Sequence, residues 1–429
     1  MKVWRSEDAK GERYLARLEG RGQELFSAQL EERVRRVVAT VAKRGDRALV
    51  GFVRRDDLKG MKAGDLCLHG EVSAGEEVSE EFISAVELAL ENLKAFHEPQ
   101  LPKGYALDQD GNDLSIRVRP IESVGVYVAS GAGAAIASLL MAVVPARLAG
   151  VPRIAVATPP RAFLSSPQLR YVLDRLDLRE VYLMGGAHAV AALAHGTDSV
   201  TPVDKIVGAG GRLVAAAKRA VVGVVDVDGL GGPAEIVIVA DSHAEPDLVA
   251  ADLLAQAEHD TDALAVLVTP SKTLAEKTDR RVISRLRALP RGAVARTALR
   301  NWGAIVLVPD LEAALEVVNR VAPEHVELLV QDPLRYLDAI DRAGMVHLGS
   351  YSAVTLGEYA LGSNHVLPTA GTARFASPLG VWDFVRRTAV VRVAPHRYPI
   401  LLRAAAAIAA EDKVPLHAES LRAGTRGKV

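Results

Sequence analysis

Apolar positions recur at helical spacing on a charged background over residues 28 to 52 (AQLEERVRRVVATVAKRGDRALVGF) and again from residue 81 (EFISAVELALENLKAFHE), which predicts amphipathic helices in both stretches. After Ile116 the texture changes to short Val and Ile runs that end at glycines and lead into Ala-rich segments. Three such units stand out: VGVYVASGAGAAIASLLMAVVPARLAG from Val124, VYLMGGAHAVAALAHG from Val181 and DKIVGAGGRLVAAAKRAV from Asp204. Strand, glycine turn and helix in alternation predict parallel strands with crossover helices, wound on both faces of a sheet. A second series follows, AEIVIVAD, PDLVAADLLAQAEHD, ALAVLVT, GAIVLVPD and LEAALEVVNRVAPEHVELL, and predicts another unit of the same kind. The fold class is therefore α/β, with two Rossmann-like doubly wound domains and small helical appendages at the N- and C-termini. No fixed-period repeat interrupts this pattern.

With 429 residues the chain is long enough for two large domains, and 49% hydrophobic against 24% charged residues is an ordinary globular balance. Aromatics are scarce at 4%, so the core is expected to be Val, Leu, Ala and Ile. A net charge of -1, with Lys and Arg scattered among acids, offers no sustained field for a polyanion, so nucleic acid is not an expected partner. No apolar run reaches the roughly 18 to 20 residues of a bilayer span, and MKVWRSEDAKGERY is too polar for a secretory signal. A soluble, cytoplasmic protein without membrane partners is expected.

The single cysteine, Cys67 in GDLCLHG, excludes an intrachain disulfide framework and a Cys-rich metal site. It also lacks any neighbouring catalytic signature. Aldehyde chemistry, if present, is expected to use water rather than a thiolate nucleophile.

Four places hold residues capable of chemistry. Gln256 and His259 are three apart near a helix end, a spacing that lets an amide oxygen and an imidazole reach one metal ion, or equally forms a solvated face. Pro323-Glu324-His325 ends an amphipathic helix; on an irregular turn both side chains can line a cleft, His325 taking a hydroxyl proton and Glu324 activating water. The segment TLGEYALGSNHVLPT reads as a loop dense in polar groups, with Glu358, Asn364 and His365. Asp412 and His417 interrupt the Ala-rich helical tail after Pro399. Two glycine turns, Gly131-Ala132-Gly133 and Gly208-Ala209-Gly210-Gly211, follow apolar strands and open helices, which suits either a phosphate or simple tight packing.

Taken in order, GGAHAVAALAHGTDSVTPVDKIVGAGG, AADLLAQAEHD, APEHVEL and GSNHVLPTAGTARFASPLGVWDFVRR resemble the histidinol dehydrogenase family, from about Arg33 to His417. The resemblance implies a zinc-containing homodimer that oxidises an amino alcohol to an amino acid, passing two hydrides in succession to NAD through an aldehyde. By position, Gln256, His259 and Glu358 resemble metal ligands, His417 a further ligand supplied by the partner subunit, and Glu324 and His325 the catalytic pair. The substrate is expected to meet Ala234, Gln256, His259, His325, Glu358, Asp412 and His417, and the cofactor Tyr127, His188 and Gly211. The domains implied are an N-terminal arm over 1–24, a first Rossmann-like domain from 25–126 with 236–379, a second over 127–235 on the NAD side, and a C-terminal dimerisation arm over 380–429.

Several positions differ from the family pattern. Glu358 stands where the family usually has Asp, Asp412 where it has Glu, and Ala234 where a serine lies at the substrate. On the cofactor side, Ala129-Ser130-Gly131 replaces P-G-G, His188 replaces a glutamine and Gly211 an asparagine. These changes leave two other readings open: a paralogue that dehydrogenates another small alcohol, for example an anionic or sulfonated one, and a metal-binding homologue that transfers no hydride. His365, His347 and Ser377-Pro378 are expected to support the site from behind.

Overall fold

The expected alternation is realised as two six-stranded sheets. The computed structural model describes residues 1–70, 78–129, 135–229, 231–288 and 292–423, without the side chain of His69. The Gly131-Ala132-Gly133 turn lies outside these residues, as does the Ser130-Gly131 part of the preceding stretch. Along the chain the strands are β1 (Lys2–Arg5), β2 (Cys67–His69), β3 (Tyr105–Gln109), β4 (Asn112–Pro120), β5 (Ser123–Tyr127), β6 (Arg153–Thr158), β7 (Glu180–Leu183), β8 (Lys205–Val207), β9 (Asp226–Val227), β10 (Glu235–Ala240), β11 (Leu264–Thr269), β12 (Ala304–Leu307), β13 (His325–Leu329), β14 (Met345–Leu348) and β15 (Val385–Arg392).

One sheet runs β2-β7-β6-β5-β8-β9 and the other β1-β12-β11-β10-β13-β14. Apart from the edge strands β1 and β2, in each sheet the chain runs from a central strand outward on one side and then crosses to the other, so that a switch point falls beside β5 and beside β10. The pairings are parallel except β2 with β7. Every residue of β5, β10 and β11 is buried, which is why these strands read as unbroken apolar runs rather than as alternation. The side chains of β10 still divide by face. Val237 and Val239 join a core that includes Val124 and Val126 of β5, while Ile236 and Ile238 pack with Leu253 and Leu254 of the helix Pro246–Ala257. Each such buried aliphatic side chain contributes about 1.5 to 3 kcal/mol of burial free energy.

The strand pairing departs from the expected boundaries. β2 and β5, expected in the domain built from 25–126 with 236–379, hydrogen-bond into the sheet of β6 to β9. β1, expected in the 1–24 arm, adds an edge to the β10 sheet by pairing with β12. The amphipathic stretch 28 to 52 is two helices, Ala28–Arg44 and Asp46–Asp56, because Gly45 adopts φ +52° and ends the first.

The chain divides into two compact units, Met1–Gln100 with Ile121–Phe384, and Leu101–Pro120 with Val385–Val429. The second holds an antiparallel sheet, β15-β4-β3, where only a helical arm was expected, and its boundary falls after Phe384 rather than at 380. Asp110 (φ +56°) and Gly111 (φ +85°) form the turn of its β3–β4 hairpin. The helices Tyr398–Glu411 and Pro415–Ala423 follow.

Candidate active site

The helix Leu311–Val321 stops at Ala322, whose left-handed φ of +48° precedes Pro323 and turns the chain into β13. Glu324 lies in that turn, but His325 is the first residue of the strand and not part of an irregular loop. Because β13 pairs with β10 in register Ile236↔His325, both groups stand at the amino edge of the β10 sheet. Glu324 lines a cavity of about 70 Å³ together with Gly208, Gly210, Lys218, His365 and Thr369. Burial, and then the charge of Glu358, push its carboxyl well above the usual range, against the pull of Arg21.

His325 is buried, and its Nδ1 lies 3.1 Å from Nε2 of His347. Burial, followed by the neighbouring histidines His347, His365 and His259, keeps its pKa well below the ordinary value. His347 is pushed down to about 4 by burial, and its hydrogen bond to the backbone at Ser352 favours a protonated nitrogen there. A neutral imidazole carries one N–H. If His347 spends its proton on Ser352, its Nε2 accepts from His325 Nδ1, and Nε2 of His325 is left as the basic nitrogen. His365 hydrogen-bonds through Nε2 to Ser138 Oγ at 2.7 Å, and Asn364 donates to the carbonyl of Met141 at 2.7 Å, so both brace the segment.

The three ligand candidates of this unit come from separate elements. Gln256 is on the last turn of the helix Pro246–Ala257, whereas His259 lies beyond its end, so the two do not share a helix face. Glu358 is in the short helix Val354–Tyr359, not in a loop, and is buried. His259 Nε2 and Glu358 Oε1 approach to 3.8 Å. That is long for a hydrogen bond and suitable for two donors facing one ion. The buried amide nitrogen of Gln256 has no partner, and a half-turn of the amide presents its oxygen instead. Among the described residues no three His, Cys, Asp or Glu side chains form a ready cluster for an ion, and the Gln256 amide offers a further oxygen donor. This set of oxygens and imidazole fits zinc or a similar divalent cation.

Tyr127, His188 and Gly211 line one groove of about 880 Å³ at the carboxyl edge of the β5 sheet, together with Arg33, Phe52 and Arg212. Tyr127 ends β5 and accepts a hydrogen bond from the Gly186 N–H at 3.0 Å. His188, in the first turn of the helix Gly186–His195, stacks on Phe52 with ring centroids 5.5 Å apart, and burial lowers its pKa to about 4. Gly211 caps the helix Arg212–Val221. Two helix N-termini therefore open on a groove at a switch point, where a dinucleotide pyrophosphate is favoured. Gly208, just after β8, has φ +113°, and a Cβ there would stand 2.2 Å from the Tyr127 carbonyl oxygen, so this turn admits only glycine. Gly211 has an ordinary φ of -63° and open space around it.

Ala234 lies one residue before β10, and its carbonyl accepts from the Leu264 N–H at 2.9 Å. Asp412, which caps the helix Tyr398–Glu411, and His417 are exposed and line a concavity of the C-terminal unit. Two residues not singled out from the sequence, Arg21 and Glu235, are buried beside Glu324. The sequence signal for Glu235 was an acid at the start of a fully apolar strand; Arg21 gave none.

A groove between two helix N-termini at the switch point of one sheet, and a buried histidine beside a carboxyl at the edge of the other, are features that suit an α/β dehydrogenase. The family model described as histidinol dehydrogenase matches residues 21–425. The histidinol dehydrogenase of Listeria monocytogenes serovar 1/2a is 40% identical over 399 residues, covering 92% of this chain and 93% of that protein. That of Rhizobium meliloti is 41% identical, with 90% of each covered. A crystal structure of histidinol dehydrogenase from Elizabethkingia anophelis superposes with a TM-score of 0.89 at 28% identity, covering 99% of this chain and 98% of that one. The chain belongs to the histidinol dehydrogenase family and is an NAD-dependent oxidoreductase of that type.

Proposed function

We propose that the protein oxidises L-histidinol to L-histidine by way of histidinal, the last steps of histidine biosynthesis, as a cytoplasmic homodimer with shared active sites. The carrying observation is the His325–His347 hydrogen bond, which leaves one nitrogen of a neutral, buried imidazole free to take the substrate's hydroxyl proton. When bound, NAD supplies the hydride acceptor and zinc a Lewis acid that polarises the C–O bond. Gln256, His259 and Glu358 would hold the ion, with His417 of the partner subunit; Tyr127, His188 and Gly211 would hold the dinucleotide. Glu324 takes a proton from the water that adds to the aldehyde, in keeping with a chain whose one cysteine is held protonated, its pKa raised to about 11 by burial.

The dimer draws support from the C-terminal unit. Ile400, Ile408, Leu416 and Val391 are exposed there, and Ala409 is its one buried apolar side chain among the described residues. Among the described residues no helix is long and apolar enough to cross a membrane. Relatives at 40% identity named for histidinol favour that substrate over the other small alcohol suggested by Ala234, Glu358 and Asp412. The formed His325–His347 pair speaks against a homologue without hydride transfer.

The test is the initial rate of NADH formation from L-histidinol, NAD and zinc, with His325→Ala as control. A rate that disappears in the control supports the assignment. No rate from zinc-loaded wild type would overturn the choice of substrate.

A further inference from the structure

We propose that Arg21 and Glu235 are positioning residues that hold the Glu324 carboxyl for the step in which water adds to the aldehyde, an inference that rests on the function proposed above. The backbone N–H of Glu235 donates to Glu324 Oε2 at 2.8 Å, and the N–H of Glu324 donates back to Glu235 Oε2 at 3.3 Å. This reciprocal pair joins the residue before β13 to the first residue of β10. It fixes one oxygen of Glu324 and leaves the other for the cavity that the side chain lines.

Glu235 is in turn over-determined. Its Oε1 accepts from the Ala370 N–H at 3.0 Å and from the Arg21 guanidinium, which also donates to the carbonyl of Asp262. Arg21 and Glu235 are each 1% exposed, and the Arg21 guanidinium lies 5.0 Å from the centre of the Trp302 ring. Burying an ion pair this completely is costly and is weak evidence for stability, so a functional reason is called for. The surroundings supply one. The carboxyl of Glu324 serves as a base only if one oxygen stays on the Glu235 N–H while the other faces the cavity. Arg21, bonded to both Glu235 and the carbonyl of Asp262, locks the Glu235 carboxyl that accepts from the Glu324 N–H. Its planar fork sets the orientation of Glu235, and Glu235 sets that of Glu324.

The step served is hydration. The water oxygen bonds to the aldehyde carbon while Glu324 accepts one water proton, and the carbonyl π pair moves onto its oxygen, which takes a proton from the medium; the product is the hydrate from which the second hydride can leave. Reduction of the same aldehyde back to the alcohol uses no water and makes no demand on Glu324. The two directions therefore separate positioning of Glu324 from general damage to the site.

The experiment compares NAD-dependent oxidation and NADH-dependent reduction of histidinal by zinc-loaded wild type, Arg21→Met and Arg21→Lys. Met removes the charge at similar length, and Lys keeps the charge but loses the fork. For Arg21→Met the expected result is a fall in kcat for oxidation of about 30-fold or more with reduction changed by less than about 3-fold. Arg21→Lys is expected to recover part of the loss. Should Arg21→Met not fold, Arg21→Lys alone decides, by a fall of about 3- to 10-fold confined to oxidation. Equal losses in both directions, or no loss in oxidation by a folded variant, would overturn the proposal. If wild type acts on neither direction with histidinal but does so with another aldehyde, the choice of substrate fails while the same comparison on that aldehyde still decides the role of Arg21.

Discussion

His325 and His347 sit on adjacent parallel strands, β13 and β14, with Nδ1 of one 3.1 Å from Nε2 of the other. With the His347 proton on the Ser352 backbone, the contact leaves Nε2 of His325 as the basic nitrogen. Replacing His347 by Ala is therefore expected to lower kcat for alcohol oxidation by about 10- to 100-fold with little change in KM. His347→Gln, whose amide oxygen still accepts the proton, should retain more activity. Steady-state kinetics of the two variants settles the point, and equal activity of both would count against an orienting role.

Stability should fall in mild acid. The folded pKa values of His188 and His347 are both about 4, below the roughly 6.5 of an unfolded histidine. Their neutral forms are favoured by folding, so this contribution is complete above about pH 6.5 and is lost as pH falls toward 4. Each buried ring accounts for about 1 to 3 kcal/mol over that window. Thermal midpoints recorded between pH 7.5 and 4.5 should drop less for His188→Gln than for wild type.

The cofactor groove can be moved toward the family pattern. Gly211 has an ordinary φ and space for a side chain, so Gly211→Asn is expected to fold normally. With His188→Gln it restores two polar groups to the groove, each worth about 0.5 to 1.5 kcal/mol if it bonds the cofactor. The KM for NAD should fall by about 3- to 10-fold in the double variant. A higher KM would mean that the stack of His188 on Phe52 is itself part of the binding surface.

The donor set at Gln256, His259 and Glu358 predicts loss of activity on treatment with a chelator and recovery with zinc. Glu358→Ala should lower retained metal, measured on dialysed protein, by about 10-fold or more, and Glu358→Asp by less. Full metal retention in Glu358→Ala would remove it from the ligand set.

Cys67 is half-buried in β2, its pKa pushed up to about 11 by burial, and takes no part in the chemistry proposed. Cys67→Ser should keep wild-type kcat for both oxidation steps, and iodoacetamide at neutral pH should not inactivate the enzyme. Rapid inactivation protected by substrate would place the thiol near the reaction after all.

The sequence made the two doubly wound sheets legible because their strands are buried on both faces and their glycine turns punctuate them. β7 with Gly185-Gly186 after it and β8 with Gly208 after it are examples. Glu324 and His325 could be read as a pair because Pro323 announced the turn. The β3–β4 hairpin is not evident from periodicity although Asp110-Gly111 is a strong turn signal, since β3 is exposed, β4 is mostly half-buried, and neither carries an apolar run. The assignment of β2 and β5 was missed because pairing partners are set by tertiary packing, and local periodicity is silent about which sheet a strand joins. Arg21 and Glu235 meet across more than two hundred residues, and no spacing rule reaches that far.

The C-terminal unit, with its apolar side chains facing outward and almost none inward, lacks the means to keep its own shape. If a second copy covers those side chains, enzyme molarity becomes a thermodynamic variable. Dilution would loosen Asp412 and His417 before it disturbed either large sheet, and specific activity would decline with concentration while most of the protein remained folded.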